Sequence, residues 1–159
     1  MDVAERYERL EPTLVDAFHL PLMTRIAVGG HWERATEEQR ERLVAAFQRM
    51  STSTVATLFS GYNGERFEAI GTQPGSQGTT LVQTHLVKAD GSPVEMTYVA
   101  KQFGDRWWLI DVVVDGGISE LNVRQSEYHA ILRDRGVEGL IDTLNGKADS
   151  LVLAGDTTN

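Results

Sequence analysis

Four histidines and one strand-embedded carboxylate have the plainest capacity for chemistry in this chain. His19, His31, His85 and His129 lie far apart, and no two stand at metal-ligand spacing. Surface or half-buried histidines are the simpler account of them. Asp111 differs, because Ile110 and Val112 flank it inside an apolar run. A carboxylate there is a candidate desolvated general base, with His85 and Tyr98 on neighbouring strands to complete an acid–base set. The plainer reading makes Asp111 a structural carboxylate that accepts backbone amides or pairs an arginine such as Arg124. Trp107-Trp108 offers a stacking platform for sugars or bases, although strand tryptophans are more often core. No GxSxG elbow, P-loop or GxGxxG occurs, so the common nucleophile and nucleotide signatures are missing.

These residues must be positioned by a chain of 159 residues and 17.6 kDa, the size of one domain. Hydrophobic residues at 41% and charged residues at 24% are the proportions of a globular protein. The net charge of −8 is spread along the chain without a basic stripe. That argues against a nucleic-acid partner and against docking on anionic lipid by charge alone. The absence of cysteine excludes disulfides, thiol nucleophiles and zinc–cysteine sites. No apolar run reaches the ~18 residues of a membrane helix.

Periodicity divides the chain into helix, strand and helix blocks. Tyr7, Leu10, Leu14 and Phe18 follow helical spacing up to Pro21, and a short helix then runs to Gly29-Gly30. Thr36 and Gln39 have capping-box spacing. They open a helix over 37–59 with Leu43, Phe47, Met50, Thr54 and Leu58 on one stripe and Glu38, Arg42 and Arg49 opposite. A turn is expected at 61–64 and a loop at 73–78, with strands at 66–71, 79–88, 93–103 and 106–115. Ala89-Asp90-Gly91-Ser92 is a hairpin turn. Unbroken alternation puts Trp108, Ile110, Val112 and Val114 on one face of the last strand, and Trp107, Leu109 and Val113 on the other with Asp111. Two apolar faces mean burial on both sides or a hollow fold. Ser119 caps a helix to about Arg135, Gly136 breaks it, and a last helix follows before a fraying end after Lys147. Helices on either side of an antiparallel sheet make an α+β fold.

Trp107-Trp108-Leu109-Ile110-Asp111-Val112, followed by Asp115-Gly116-Gly117-Ile118-Ser119, resembles the signature of the MlaC family of periplasmic lipid-binding proteins, also called toluene-tolerance auxiliary transport components. Val123-Arg124-Gln125-Ser126-Glu127-Tyr128 and Arg135-Gly136-Val137-Glu138-Gly139-Leu140-Ile141 are similar to the family's closing helices. Leu20-Pro21-Leu22-Met23, Gly30-His31-Trp32 and Ala35-Thr36-Glu37-Glu38-Gln39-Arg40 are similar to its opening ones. The second glycine of Gly116-Gly117 resembles the hopanoid-associated HpnM branch more closely.

The resemblance implies an NTF2-like cone, a curved four-stranded antiparallel sheet wrapped by helices around an apolar cavity. It implies one lipid-binding domain over 1–148 with a flexible tail over 149–159. It implies a periplasmic address with a signal peptide already removed. The ligand would be a phospholipid or a hopanoid-type lipid, exchanged with transport complexes at the inner and outer membranes. No catalytic residue, metal or cofactor is expected.

A carrier of this kind needs apolar lining more than fixed polar contacts. The expected lining from the first helices is Leu22, Ile26, Phe47, Met50 and Leu58. From the sheet it is Met96, Tyr98, Trp108, Ile110 and Val112. From the last helices it is Tyr128, Leu132, Leu140 and Leu144. Gly29-Gly30, Gly116-Gly117 and Gly136 are candidate hinges. Two alternatives stand beside the carrier: an isomerase or dehydratase of the same fold using Asp111, and an interaction domain filled by its own side chains.

Overall fold

The computed structural model describes residues 2–58 and 64–156, without the side chains of Leu58 and of 154–156. Residues 61–63 of the expected turn lie outside the described residues.

Caps decide where the helices begin. In α1 (Val3–Ala17) the Asp2 carboxylate accepts from the Glu5 N–H at 2.8 Å, and the Glu5 carboxylate from the Asp2 N–H at 3.1 Å. His19 Nδ1 then accepts from the Leu22 N–H at 3.1 Å, and Pro21 occupies the first turn of α2 (Leu20–Val28). One turn, α3 (His31–Arg34), separates α2 from α4 (Glu37–Leu58). Thr36 and Gln39 make the expected capping box, at 3.1 and 3.0 Å.

Leu43 and Phe47 of α4 are buried, as the stripe predicts. Farther along, the buried positions are the small residues Thr52, Ser53 and Ala56. Helix α4 packs on α1, and Arg6 Nε donates to the Ala56 carbonyl at 2.9 Å. The arginine face of α4 meets the last helix, α5 (Glu120–Asp156). Arg42 pairs with Glu138 at 2.9 Å. Arg49 bonds Asn145 at 2.7 Å and pairs with Asp149. Helix α5 therefore continues, with Ala148 buried, where composition suggests fraying. It kinks at Gly136, as expected, with φ 70° and ψ −171°.

Contacts divide the chain into two compact units, Met1–Gly61 with Gln125–Asn159, and Tyr62–Arg124. The first is helical, with Leu43, Leu140 and Ile141 at its centre. The second holds the sheet: β1 (Arg66–Pro74), β2 (Thr80–Val87), β3 (Pro93–Phe103), β4 (Arg106–Val114) and β5 (Ile118–Ser119). Every neighbouring pair is antiparallel, and the order β1-β2-β3-β4-β5 leaves the sheet open.

Sequence predicts four strands, and the described residues form five. Strand β5 is two residues long, too short to show alternation. Gly116 and Gly117, at φ 79° and 81°, turn the chain back so that Ile118 and Ser119 pair with Val114 and Val113. Strand β1 continues to Pro74, where a loop is expected, because Gln73 and Pro74 extend the ladder opposite Leu81 and Thr80. A proline at the end of an edge strand forfeits no needed donor.

Two bulges set the faces of the sheet. Ile70 is the extra residue in β1 and Ile110 in β4. Val82, Tyr98 and Val112 are cross-strand partners, as are Thr84, Met96 and Val114, so these side chains share one face. Leu86 and Val94 extend it. The other face carries His85, Glu95, Lys101 and Asp111. Leu81, Val87, Val99 and Val113 lie on that face as well, so apolar residues occupy both faces, as the alternation predicts. The expected grouping of Trp108 with Val112 fails, because the bulge inserts a residue between them. Trp108 pairs with Lys101 on the Asp111 face, and the Arg106 guanidinium lies 3.6 Å from its ring centroid. Trp107 is 53% exposed and is not core, whereas Trp108 is half-buried.

Gly136 and Gly146 offer a paired test. An alanine Cβ meets nothing within 4 Å at either position, but only Gly136 has a positive φ. Gly136→Ala should lower unfolding stability by about 1–3 kcal/mol. Gly146→Ala, inside a regular helix, should raise it by about 0.5–1 kcal/mol. Urea denaturation measures both. The positive φ also makes proline, locked near −65°, the wrong residue for probing a hinge at Gly136.

Candidate functional site

Asp111 is the most connected carboxylate of the sheet. Its Oδ1 accepts from the Val112 N–H at 2.8 Å and the Leu121 N–H at 3.0 Å, and the Ser119 hydroxyl donates to Oδ2. Ser119 Oγ also accepts from the Asn122 N–H at 3.1 Å, which makes it the expected cap of α5. Arg124 pairs with Glu120 at 3.5 Å. Asp111 therefore acts as the structural carboxylate of the plainer reading, bound to amides.

The acid–base set does not assemble. Tyr98 lies on the apolar face and Asp111 on the other. His85 shares the Asp111 face but is two strands away and four residues along. Strand spacing and rise make those offsets about 10 Å and about 13 Å. Among the described residues, no group of three His, Asp or Glu is arranged to hold a metal ion.

Met96, Tyr98 and Val112 sit in strand interiors yet are only half-buried. Burial pushes the Tyr98 phenol above its usual pKa. Ile110, at the bulge, and Trp108, on the Asp111 face, are half-buried too. In the helical unit, Phe47, Tyr128, Leu132, Leu140 and Leu144 are buried. Leu22 and Met50 are half-buried and Ile26 is 37% exposed. The Leu58 side chain lies outside the described residues.

Cavities among the described residues of the helical unit include the following two. A shallow one of about 400 Å³ is lined by Pro21, Trp32, Arg40 and Val44 with Glu37 and Glu41. A deeper one of about 270 Å³ lies between the α2–α3 corner and α5. Ala27, Val28 and Leu132 form its apolar wall, and His31, Arg34, Gln125 and His129 its polar rim. Of the expected lining residues, only Leu132 borders either cavity. Sequence reading missed this rim. Its only trace is helical spacing, His31 to Arg34 and Gln125 to His129, on segments far apart in the chain.

The MlaC protein family profile matches residues 1–146. The chain belongs to the MlaC family. A solved structure of a phospholipid-binding protein from Ralstonia solanacearum, in complex with a phospholipid, superimposes with a TM-score of 0.82 at 18% sequence identity. The superposition covers 94% of this chain and 84% of that one. The two share a fold. In this MlaC chain, the stretch from Asp111 to Ser119 that resembles the family signature is the segment that turns β4 into β5 and caps α5.

Asp111→Ala leaves the Leu121 N–H and the Ser119 hydroxyl without their acceptor. It should cost about 1–3 kcal/mol of stability in urea denaturation. Lipid carried per folded molecule should stay unchanged, whereas a general base at this position would be indispensable to any turnover.

Proposed function

We propose that this protein is a non-enzymatic carrier that moves a phospholipid across the periplasm, its acyl chains lying on the apolar face of the sheet. The observation that carries this reading is a run of strand-interior apolar side chains, Met96, Tyr98 and Val112 among them, left half-buried. Membership of the MlaC family and the phospholipid bound in the Ralstonia structure support it. No helix among the described residues is long and apolar enough to cross a membrane.

The task is a problem of apolar surface, not of bond making. Each methylene moved from water into an apolar setting gains about 0.8 kcal/mol, so one acyl chain gains on the order of 10 kcal/mol. An apolar face that resembles a bilayer interior removes most of that barrier. Exchange with membrane-bound complexes then proceeds near balance, because the lipid leaves one apolar setting for another. Complexes at the inner and outer membranes load and unload the carrier.

Native mass spectrometry of purified protein, with extraction and identification of lipid, tests the proposal. A phospholipid near one-to-one is the expected result. A hopanoid would keep the carrier and change its cargo, and a protein that stays empty after incubation with both would overturn the reading. Val112→Glu, on the apolar face, should reduce bound lipid at least about tenfold, because a desolvated charge is costly there. Thr97→Glu, on the opposite face, should leave loading within about twofold of wild type.

A further inference from the structure

We infer that the cavity between the α2–α3 corner and α5 is an anion site that takes a phosphate ester. The inference extends the carrier reading, on which its assignment to a lipid headgroup rests. His31, Arg34, Gln125 and His129 supply the polar rim of this cavity, and no carboxylate lines it. Such a set is unexpected in a chain of net charge −8.

Nearby arginines of the helical unit are already engaged. Arg25 pairs with Glu33 at 3.2 Å, and Arg40 Nε donates to the Trp32 carbonyl at 2.9 Å. Arg42 pairs with Glu138, Arg49 with Asp149 and Arg133 with Asp134. Arg34 differs. Among the described residues, neither it nor His31, Gln125 or His129 has a side-chain hydrogen bond or ion pair. Four polar side chains therefore border one concavity with their donors uncommitted. Gln125 Nε2 lies over Gly29, 3.8 Å from where a Cβ would stand, so the carboxamide is held against the α2–α3 corner.

The donor chemistry selects the ligand class. A guanidinium offers a planar fork of N–H groups that suits phosphate oxygens. A carboxamide donates two N–H bonds, and an imidazole at least one in either protonation state. Distant acidic residues are screened beyond about 8–10 Å at moderate salt, so the local donors outweigh the net charge. Ala27, Val28 and Leu132 give the cavity an apolar side. A phosphate with an organic substituent satisfies both walls. The ligand chemistry is shared by a lipid headgroup and by a soluble phosphate.

Imidazole signals in ¹H–¹³C NMR spectra of the full chain provide the test, with inorganic phosphate as the probe. Phosphate should shift His31 and His129 saturably, while His19 and His85 stay still. Arg34→Gln should weaken the apparent affinity about tenfold, the worth of one charged hydrogen bond. Arg9→Gln removes the same charge elsewhere on the helical unit and should leave the affinity unchanged. Loading with phosphatidylglycerol separates the sources. Shifts of His31 and His129 on loading, with loss of phosphate binding, identify the headgroup. Unchanged phosphate binding in the loaded protein identifies a soluble phosphate. The inference is overturned if His31 and His129 do not move apart from the other histidines, or if Arg34→Gln titrates as wild type. Bound lipid is measured by mass in the same samples. Normal loading with silent histidines refutes the anion site alone, and failed loading with intact phosphate binding refutes the carrier alone.

Discussion

The Asp111 carboxylate holds the point where the sheet gives way to the longest helix. A charged group in a strand must find donors or remain costly, and Asp111 finds the N–H groups of Val112 and Leu121 and the Ser119 hydroxyl. That demand fixes how far the chain travels after β4. Gly116 and Gly117 supply a turn tight enough to bring Ser119 back beside Asp111. Ser119 then caps α5 with the same oxygen that donates to Asp111. The bulge at Ile110 adjoins this knot and reverses the facing of everything before it on β4. The facing of Trp107, Trp108 and Leu109 thus turns on the extra residue beside that carboxylate.

In the proposed carrier, the face of Val82, Met96, Tyr98 and Val112 is the surface for an apolar cargo. Tyr98, Met96 and Val112 stand together, and the polar residues His85, Glu95, Lys101 and Asp111 stand on the reverse among Leu81, Val99 and Val113. A lipid carrier has to shield methylenes and release them with little change in free energy, so apolar area matters more than directed bonds. The dispersed His85, Tyr98 and Asp111 suit that task better than acid–base catalysis, which needs its groups within hydrogen-bond reach. Polar recognition, where it occurs, belongs to a different part of the chain, the rim of His31, Arg34, Gln125 and His129.

In the helical unit, charge is used mostly for alignment. Arg42 and Arg49 of α4 meet Glu138, Asn145 and Asp149 of α5, a row of exposed pairs. Pairs of this kind contribute little stability singly, but their spacing sets the register of one helix on another. Farther along α4 the buried positions are the small residues Thr52, Ser53 and Ala56, and Ala56 receives Arg6 of α1 at its carbonyl. Helical periodicity read for large apolar residues overlooks such positions, because small side chains pack by leaving room.

What the sequence determined by itself was local. The Thr36–Gln39 box, the hairpin turn at Ala89-Asp90-Gly91-Ser92, the strand at 93–103 and the break at Gly136 depend on residues within one turn of each other. The run of motifs also carried the family resemblance that the profile match over residues 1–146 bears out. Tertiary structure alone decided the bulges at Ile70 and Ile110, and hence which face Trp108 occupies, because pairing with β2 and β3 selects the register. It alone made a fifth strand of Ile118 and Ser119, and it alone set His31 and Arg34 on one cavity with Gln125 and His129. Caps and turns are settled by neighbours in sequence, whereas faces and cavities are settled by partners that periodicity cannot name.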